Sequence, residues 1–380
     1  YGHSIAMSAS RIDRVKSCHF GYFMEYGLRA KERKRAGFEA PEVGTFLHYL
    51  LENVNRDVKA LGGYGQVSDD ELRRMTKDYV SRYAAERIDD FAHKSARFRY
   101  LFTRLRETAY TIILNIAREM RQSDFQPVSF ELSFGGRQGD LPAITIQEDG
   151  ARLSVSGKVD RVDGWLHEGK LYLRVVDYKT GKKSFDLTDI RYGLGIQMLL
   201  YLFTLEREGQ SFFGHPIVPC GVLYQPARDV ILRQDRSISD EKLKAALQSE
   251  LRRTGLVLND PQVLRAMEHS ALDSPCYLPI GVKKDGSLSG SVATAAQLGH
   301  LGRYVDKLLH QITGEIAHGN IDADPYARGP QDSACTYCPF AAACCFDEAR
   351  DKRRPLRKTD SEEFWALMEK TGEEDRHGEN

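Results

Sequence analysis

The sequence predicts an α/β protein in which a central mixed sheet is flanked by helices. Apolar residues recur at helical spacing through much of the first 125 residues, whereas short strands separated by glycine-rich turns begin near Pro127. A third observation is the segment 193–206, which is apolar nearly all round and therefore indicates a buried helix. We find no internal repeat and no linker, so we expect one elaborated domain over residues 1–368.

The first region, residues 1–125, is predicted to be mostly helical. In "GTFLHYLLENVNRDVKALG" the apolar residues follow a helical period that ends at Gly62–Gly63. The next helix begins with Ser68 and Glu71 in the spacing of a capping box. A long helix is expected over 98–120.

The remaining regions differ in texture. Residues 126–235 contain strand patterns and the buried helix, and residues 236–332 are predicted to be mainly helical, with a long helix ending at Gly319–Asn320. Residues 333–350 hold a cysteine cluster. Residues 369–380 are strongly polar and charged, which predicts a disordered tail.

Charge and hydropathy limit the function. Lys and Arg total 54 and Asp and Glu total 54, so contact with nucleic acid would depend on local basic patches. No apolar run approaches the roughly 18 residues of a membrane span, and no signal peptide is recognisable. We therefore expect a cytoplasmic protein without a membrane partner. Because the chain starts at Tyr1 rather than Met, we also expect a piece of a longer polypeptide.

The segment "RVDGWLHEGKLYLRVVDYK" predicts a hairpin with acids at one end. A two-residue turn at Glu168–Gly169 pairs Asp163 with Arg174, and this pairing of opposite charges supports the register. The same register places Asp160 opposite Asp177. Their carboxylates would lie about 5 Å apart, which is unfavourable without a cation between them.

This acidic pair has the parts of a catalytic metal site. Mg²⁺ held by Asp160 and Asp177 would resolve the repulsion, and Lys179 would share their face of the strand. A metal that polarises a phosphate, together with an ammonium group, is suited to phosphodiester hydrolysis. Spacing alone also allows the alternative that both acids are strand-end residues with separate salt bridges.

The cysteines form a second candidate site. Cys335, Cys338 and Cys344 follow a C-x2-C-x5-C pattern that can hold zinc or an iron–sulfur cluster, both of which take four ligands. The pattern leaves the fourth ligand open. The candidates are Cys345, Cys220, Cys276 and Cys18. Of these, Cys220 and Cys276 are expected to be buried small hydrophobes.

Several motifs together resemble a nuclease family. "GKVDRVD" and "VVDYKTG" are similar to the active-site pair of the RecB-like branch of the PD-(D/E)XK nucleases, whose core is restriction-endonuclease-like. "GTFLHYLLE" and "QMLLY" resemble the histidine and Gln-x-x-x-Tyr motifs of that branch. "SASRIDRVKSCHFGYFMEYGL" and "CTYCPFAAACCFD" resemble the ends of AddB-type nuclease domains. The motifs keep the family's order over nearly the whole chain.

The resemblance implies roles for individual residues. It makes His48, Asp160, Asp177 and the backbone carbonyl of Tyr178 ligands of Mg²⁺, makes Lys179 the catalytic lysine, and places Gln197 and Tyr201 beside the DNA and the active site. It also selects Cys18 as the fourth ligand of a [4Fe–4S] cluster that staples the two ends of the domain. The chain departs from the family at His19, where proline commonly follows the first cysteine. Without the motifs, His48, Gln197 and Tyr201 would be interpreted as ordinary packed or hydrogen-bonded side chains.

The resemblance also implies partners. These are DNA, an AddA-like helicase–nuclease subunit that supplies the motor, and the remainder of an AddB chain, acting in double-strand break repair on the 5′-terminated strand. The chain itself has no G-x-x-x-x-G-K-[ST] loop. Lys182 and Lys183 are the basic residues best placed to touch DNA; weaker candidates are the arginines within 97–106 and the basic run 350–358. The alternatives are a stand-alone CRISPR-associated iron–sulfur exonuclease and a non-catalytic DNA-binding and assembly module.

Overall fold

The computed structural model describes residues 3–31, 40–88, 95–136, 139–230, 232 and 238–378. Its helices are α1 (Ala9–Ser17), α2 (His19–Tyr22), α3 (Ala40–Ala60), α4 (Asp69–Arg87), α5 (Ala96–Met120), α6 (Leu187–Arg191), α7 (Gln197–Phe213), α8 (Asp240–Glu250), α9 (Pro261–Met267), α10 (Ala295–Ala317), α11 (Ala341–Cys344) and α12 (Ser361–Gly378), with a π-helical turn at Phe23–Gly27. Its strands are β1 (Ser4–Ser8), β2 (Gln126–Phe134), β3 (Ile144–Glu148), β4 (Ala151–His167), β5 (Lys170–Lys179), β6 (Ile217–Pro226), β7 (Thr254–Leu258), β8 (Ile280–Val282), β9 (Leu288–Gly290), β10 (Val292–Ala293), β11 (Tyr326–Gly329), β12 (Asp332–Ser333) and β13 (Arg354–Pro355).

The long strand β4 organises the main sheet. Its first half pairs with β1 in parallel and with β3 in antiparallel orientation, and its second half pairs with β2 and β5. From β5 the sheet continues in parallel to β6, in antiparallel orientation to β7, and in parallel to β10. The predicted α/β fold with a central mixed sheet flanked by helices is confirmed.

The hairpin β4–β5 has the predicted register. Asp163 pairs with Arg174, and the turn residues Glu168 and Gly169 have φ values of 48° and 75°. These left-handed values suit a tight turn between twisted strands. The hairpin therefore carries Asp160 and Asp177 toward the same end of the sheet.

Two apolar cores hold the sheet in place. The larger core joins the strands to α1, α7, α10 and α12. The smaller core lies among α3, α4 and α5, and it includes Tyr178 and Ala227 from the ends of β5 and β6. The end of β5 that carries Asp177 is thus packed against the helical region that precedes the sheet.

Three regional predictions need correction. The region 1–125 also contains β1, in which Ile5 and Met7 alternate with exposed residues and pair with β4, a pattern too short to distinguish from a helix start. The region 236–332 contributes β7 and β10 to the main sheet. The prediction of disorder over 369–380 differs from the structure, in which α12 continues to Gly378 because the fully buried Phe364 and Met368 anchor it.

Candidate active site

Three carboxylates lie in a row across neighbouring strands. The register of β2 against β4 places Glu131 opposite Asp160, and the register of β4 against β5 places Asp177 on the other side of Asp160. Glu131 has a φ of 51°, a left-handed value that is uncommon outside glycine. Such a cluster of acids attracts cations.

His48 on α3 joins this row. Its Nδ1 lies 3.3 Å from Oδ1 of Asp160, and the ligand atoms of His48, Glu131 and Asp160 all lie within 4.8 Å of one another. Burial lowers the pKa of His48, but the hydrogen bond to Asp160 and the nearby negative charges outweigh it and raise the pKa overall. The imidazole therefore provides both a counter-charge and a nitrogen ligand at the acidic row.

Asp177 and Lys179 form a close pair. Lys179 Nζ lies 2.6 Å from Oδ2 of Asp177, and Asp177 is buried. Burial, followed by the charge of Asp160, raises the pKa of Asp177 to about 6, although Lys179 opposes this shift. The ammonium lies 5.7 Å from the centre of the Tyr224 ring, which leaves it at the edge of the acidic row.

Tyr178 connects the strand to the acid and to helix α3. Its backbone N–H donates to Oδ2 of Asp160 over 2.8 Å. Its buried hydroxyl accepts from Arg161 at 3.3 Å and from Asn55 at 3.4 Å. Because Asn55 lies two helical turns after His48, the same contact positions the face of α3 that carries the histidine.

Gln197 and Tyr201 occupy the start of α7. The amide of Gln197 donates to the hydroxyl of Tyr201 over 2.8 Å, so the two side chains share one face as predicted. The Tyr201 ring packs against β4 at Gly157, where a Cβ would come within 2.6 Å of the ring. The charges of Asp177 and Asp160 contribute to a raised pKa of Tyr201, after the larger effect of burial. The pair therefore borders the acidic row.

Glu131 is the site residue that sequence reasoning missed. It lies within "FELSFG", a stretch that reads as a strand in which alternate residues face opposite sides, so nothing in the spacing selects it. Its left-handed backbone redirects the side chain toward Asp160. Lys158 on β4 contacts its carboxylate.

The donor set fits a divalent cation. His48, Glu131 and Asp160 form the compact group in the described part of the chain, and Asp177 lies directly beside it. Carboxylate oxygens are the ligands that Mg²⁺ prefers, and an imidazole is also compatible with Mn²⁺ or Zn²⁺. A cation held there would polarise a phosphate oxygen and lower the pKa of a water molecule.

The cysteines meet at a second location. Cys18 and the three cysteines Cys335, Cys338 and Cys344 line one cavity of about 260 Å³. Four thiols around a cavity of this size suit a cluster of several atoms. Cys345 is exposed, and its Sγ donates to the carbonyl of Ala342.

The remaining cysteines separate. Cys220 is buried, as predicted. The expectation of a buried Cys276 is wrong, because this residue is exposed in the loop after α9, a loop held from below by Glu268 rather than by apolar packing.

His19 replaces the family's proline with an ionic contact. Its Nδ1 lies 2.8 Å from Asp324 and its Nε2 lies 3.2 Å from Glu315. Burial opposes the charged form, but these two acids raise the pKa of His19 to about 9. The residue after Cys18 therefore binds both α10 and the segment that leads to the other cysteines.

Comparison with known proteins agrees with this geometry. A family model described as the PD-(D/E)XK nuclease superfamily matches residues 6–345. The match covers most of the chain, so the chain belongs to the PD-(D/E)XK nuclease superfamily, a class of metal-dependent enzymes that the hairpin and its acidic row represent.

Individual relatives give a more particular match. The chain is 35% identical over 387 residues to the AddB-type subunit of an ATP-dependent helicase/deoxyribonuclease from Acetivibrio thermocellus, with 98% of the chain and 33% of the relative aligned. Proteins of the same name from Clostridium kluyveri and Caldanaerobacter subterraneus are 33% and 32% identical, covering 97% and 99% of the chain and 32% of each relative. The chain thus spans about a third of the length of these relatives. Among the described residues, no helix is long and apolar enough to cross a membrane.

Proposed function

We propose that this chain is the nuclease domain of an AddB-type helicase/deoxyribonuclease subunit and hydrolyses phosphodiester bonds of single-stranded DNA with Mg²⁺. The observation that carries the proposal is the row of carboxylates at the end of the β4–β5 hairpin, with His48 on one side and Lys179 on the other. In this proposal His48, Asp160, Asp177 and Glu131 hold the cation, with the carbonyl of Tyr178 as a further ligand.

The side chains of this site divide the work. The acids and His48 bind, whereas the ammonium of Lys179 stabilises negative charge that develops on the phosphate. The backbone N–H of Tyr178 fixes the orientation of Asp160. Gln197 and Tyr201, hydrogen-bonded to each other, border the place where a DNA strand would lie.

The first test is cleavage of end-labelled single-stranded DNA with and without Mg²⁺. We expect Lys179→Ala to lower the rate at least about 100-fold, because it removes charge stabilisation in the transition state. Lys170→Ala, at the other end of the same strand, is the matched control and should cleave at the wild-type rate. Equal cleavage by wild type and Lys179→Ala would place the chemistry elsewhere and overturn the assignment.

The assembly is part of the proposal. The names of the relatives support a helicase partner of the AddA type and a role in repair of DNA double-strand breaks. Comparing 5′-labelled with 3′-labelled strands in the assembled complex tests the expected preference for the 5′-terminated strand.

We also propose that Cys18, Cys335, Cys338 and Cys344 hold a [4Fe–4S] cluster. Support comes from the shared cavity of the four thiols. Iron, sulfide and zinc analysis of the purified protein tests it. We expect Cys18→Ala to lose iron and visible absorbance, whereas Cys276→Ala, which alters an exposed thiol outside the cavity, should keep both. Stoichiometric zinc without sulfide would contradict the cluster.

A further inference from the structure

An apolar groove opens beside the active site. It has a volume of about 480 Å³, within the range of ligand pockets in proteins. Its apolar lining comes from α3 and α5 and includes Leu47, Phe98 and Leu101. Leu101 is 51% exposed, so the groove presents an apolar surface to solvent.

The groove reaches the catalytic segments directly. Leu47 immediately precedes His48, and Thr180, which also lines the groove, immediately follows Lys179. The N–H of Ala227 on the groove wall donates to the carbonyl of Lys179 over 2.8 Å. A molecule in this groove would therefore lie next to the acidic row.

A basic cleft adjoins the groove. It has a volume of about 340 Å³, and Arg228 lines both depressions. The cleft also contains Lys179, Lys182 and Lys183. Its acidic residue, Glu250, lies 2.6 Å from Arg228 and 3.5 Å from Lys182. A carboxylate thus occupies a place between cations that a phosphate can also fill.

The two depressions together match one kind of ligand. Unpaired DNA has flat apolar bases on one side and a phosphate backbone on the other, and proteins bind it with stacking surfaces beside a cationic groove. In a duplex the bases are stacked and paired, so they cannot enter an apolar groove. Arg97 and Arg104 at the groove rim add positive charge, although Arg104 is paired with Asp229.

We propose that the groove binds unpaired bases of the strand being cut, while the cleft around Arg228 binds the adjoining phosphates. This inference rests on the proposed nuclease function and adds to it the residues that select single-stranded DNA. Phe98 and Leu101 contact the bases, whereas Lys182 contacts phosphate.

The test is binding rather than cleavage. Fluorescence anisotropy, without added divalent metal, compares a labelled oligothymidine with an abasic strand of equal length, using the whole 380-residue chain. We expect Phe98→Ala and Leu101→Ala to weaken binding of oligothymidine by about five- to ten-fold, the range of a lost base contact, and to leave the abasic strand unchanged. Lys182→Ala should weaken both strands by the same factor.

Leu166→Ala is the matched control, because Leu166 is 54% exposed on the distant hairpin and should affect neither strand. Equal losses for both strands in Leu101→Ala, or no loss in either, would overturn the proposal, as would a wild-type chain that binds neither strand. Loss of association with a partner protein at unchanged DNA binding would instead assign the groove to a protein contact. Because no cleavage is measured, failure of the proposed nuclease activity would be recognised separately.

Discussion

At the scale of single residues, the active site depends on how charges are compensated. Three acids in adjacent strands would repel one another, and His48, Lys179 and Lys158 lie against them. These contacts orient the carboxylates, which lowers the cost of assembling a site for a cation.

The role of Glu131 is a prediction at this scale. Glu131→Gln keeps the size of the side chain but removes one negative charge from the group with His48 and Asp160. We expect about 10–100-fold slower cleavage and a higher Mg²⁺ concentration for half-maximal rate, because metal affinity falls with the loss of a charged ligand or its neighbour. Rates measured over a Mg²⁺ titration test this. Glu168→Gln at the exposed hairpin turn serves as the control, and a Glu131→Gln rate equal to that of the control would contradict the role.

Asp13 on α1 makes stability depend on pH. Burial raises its pKa to about 6, while the N–H of Gly195, 3.0 Å away, and the charges of Lys183 and Lys179 favour ionisation and Asp189 opposes it. Because its pKa is higher in the folded than in the unfolded chain, its contribution to stability is present below about pH 4 and is lost as the pH rises through about 6.

The variant Asp13→Asn cannot ionise and still accepts from the Gly195 N–H. We therefore expect it to gain about 1–3 kcal/mol in free energy of unfolding, relative to wild type, between about pH 4 and pH 7. Urea unfolding of both proteins at the two pH values measures the change. A difference between the proteins that stays constant with pH would rule out this effect of Asp13.

At the scale of elements, a buried ionic network joins the hairpin to α5 and β7. Arg174 on β5 contacts Asp163 at 3.0 Å and Glu119 at 2.9 Å, and Arg253 before β7 contacts Glu119 at 2.6 Å. Arg161 extends this network to Tyr178. Buried charges are stable only when paired, so the network holds these elements in one arrangement behind the catalytic strands.

The network predicts a large effect of a small substitution. Glu119→Gln leaves Arg174 and Arg253 without their shared carboxylate, and we expect a loss of about 3–5 kcal/mol in unfolding free energy. Urea unfolding measures it against Glu107→Gln, an exposed position on the same helix that should change stability by less than about 0.5 kcal/mol. A similar small change in both variants would show that the network contributes little.

At the scale of the whole molecule, the two ends of the chain meet around Cys18. Besides the thiols, Asp324 accepts from the backbone N–H of His19 at 2.9 Å, and Arg354 donates to the backbone carbonyl of Lys16 at 2.6 Å. The ends are therefore joined by hydrogen bonds and ion pairs as well as by the cysteine site, and both close a very long loop of chain.

These two connections predict redundancy. Chelation that strips metal from the wild-type protein should leave the C-terminal segment largely resistant to limited proteolysis. The same treatment of Asp324→Ala should release it, because this variant lacks the contacts to His19 and Arg354. Asp285→Ala, at an exposed turn, is the control. Rapid proteolysis of chelated wild type would mean that the cysteine site alone holds the ends together.

Much of this protein is determined locally and can be predicted from its sequence. The hairpin register follows from a Glu-Gly turn and one charge pair, since a tight turn leaves a single alignment of its strands. Asp160, Asp177 and Lys179 are readable for the same reason, and Gln197 and Tyr201 because four residues along a helix return to the same face.

Only the tertiary structure decided the rest. Glu131 joins the site through a left-handed backbone angle that no residue pattern encodes. His48 approaches Asp160, and Cys18 approaches the later cysteines, across long stretches of chain, so the resemblance to a family predicted them but spacing could not. The strands β1 and β7 and the helical tail depend on partners that bury their few apolar residues. Local chemistry therefore determined the hairpin and its acids, whereas packing between distant segments determined which other side chains meet them.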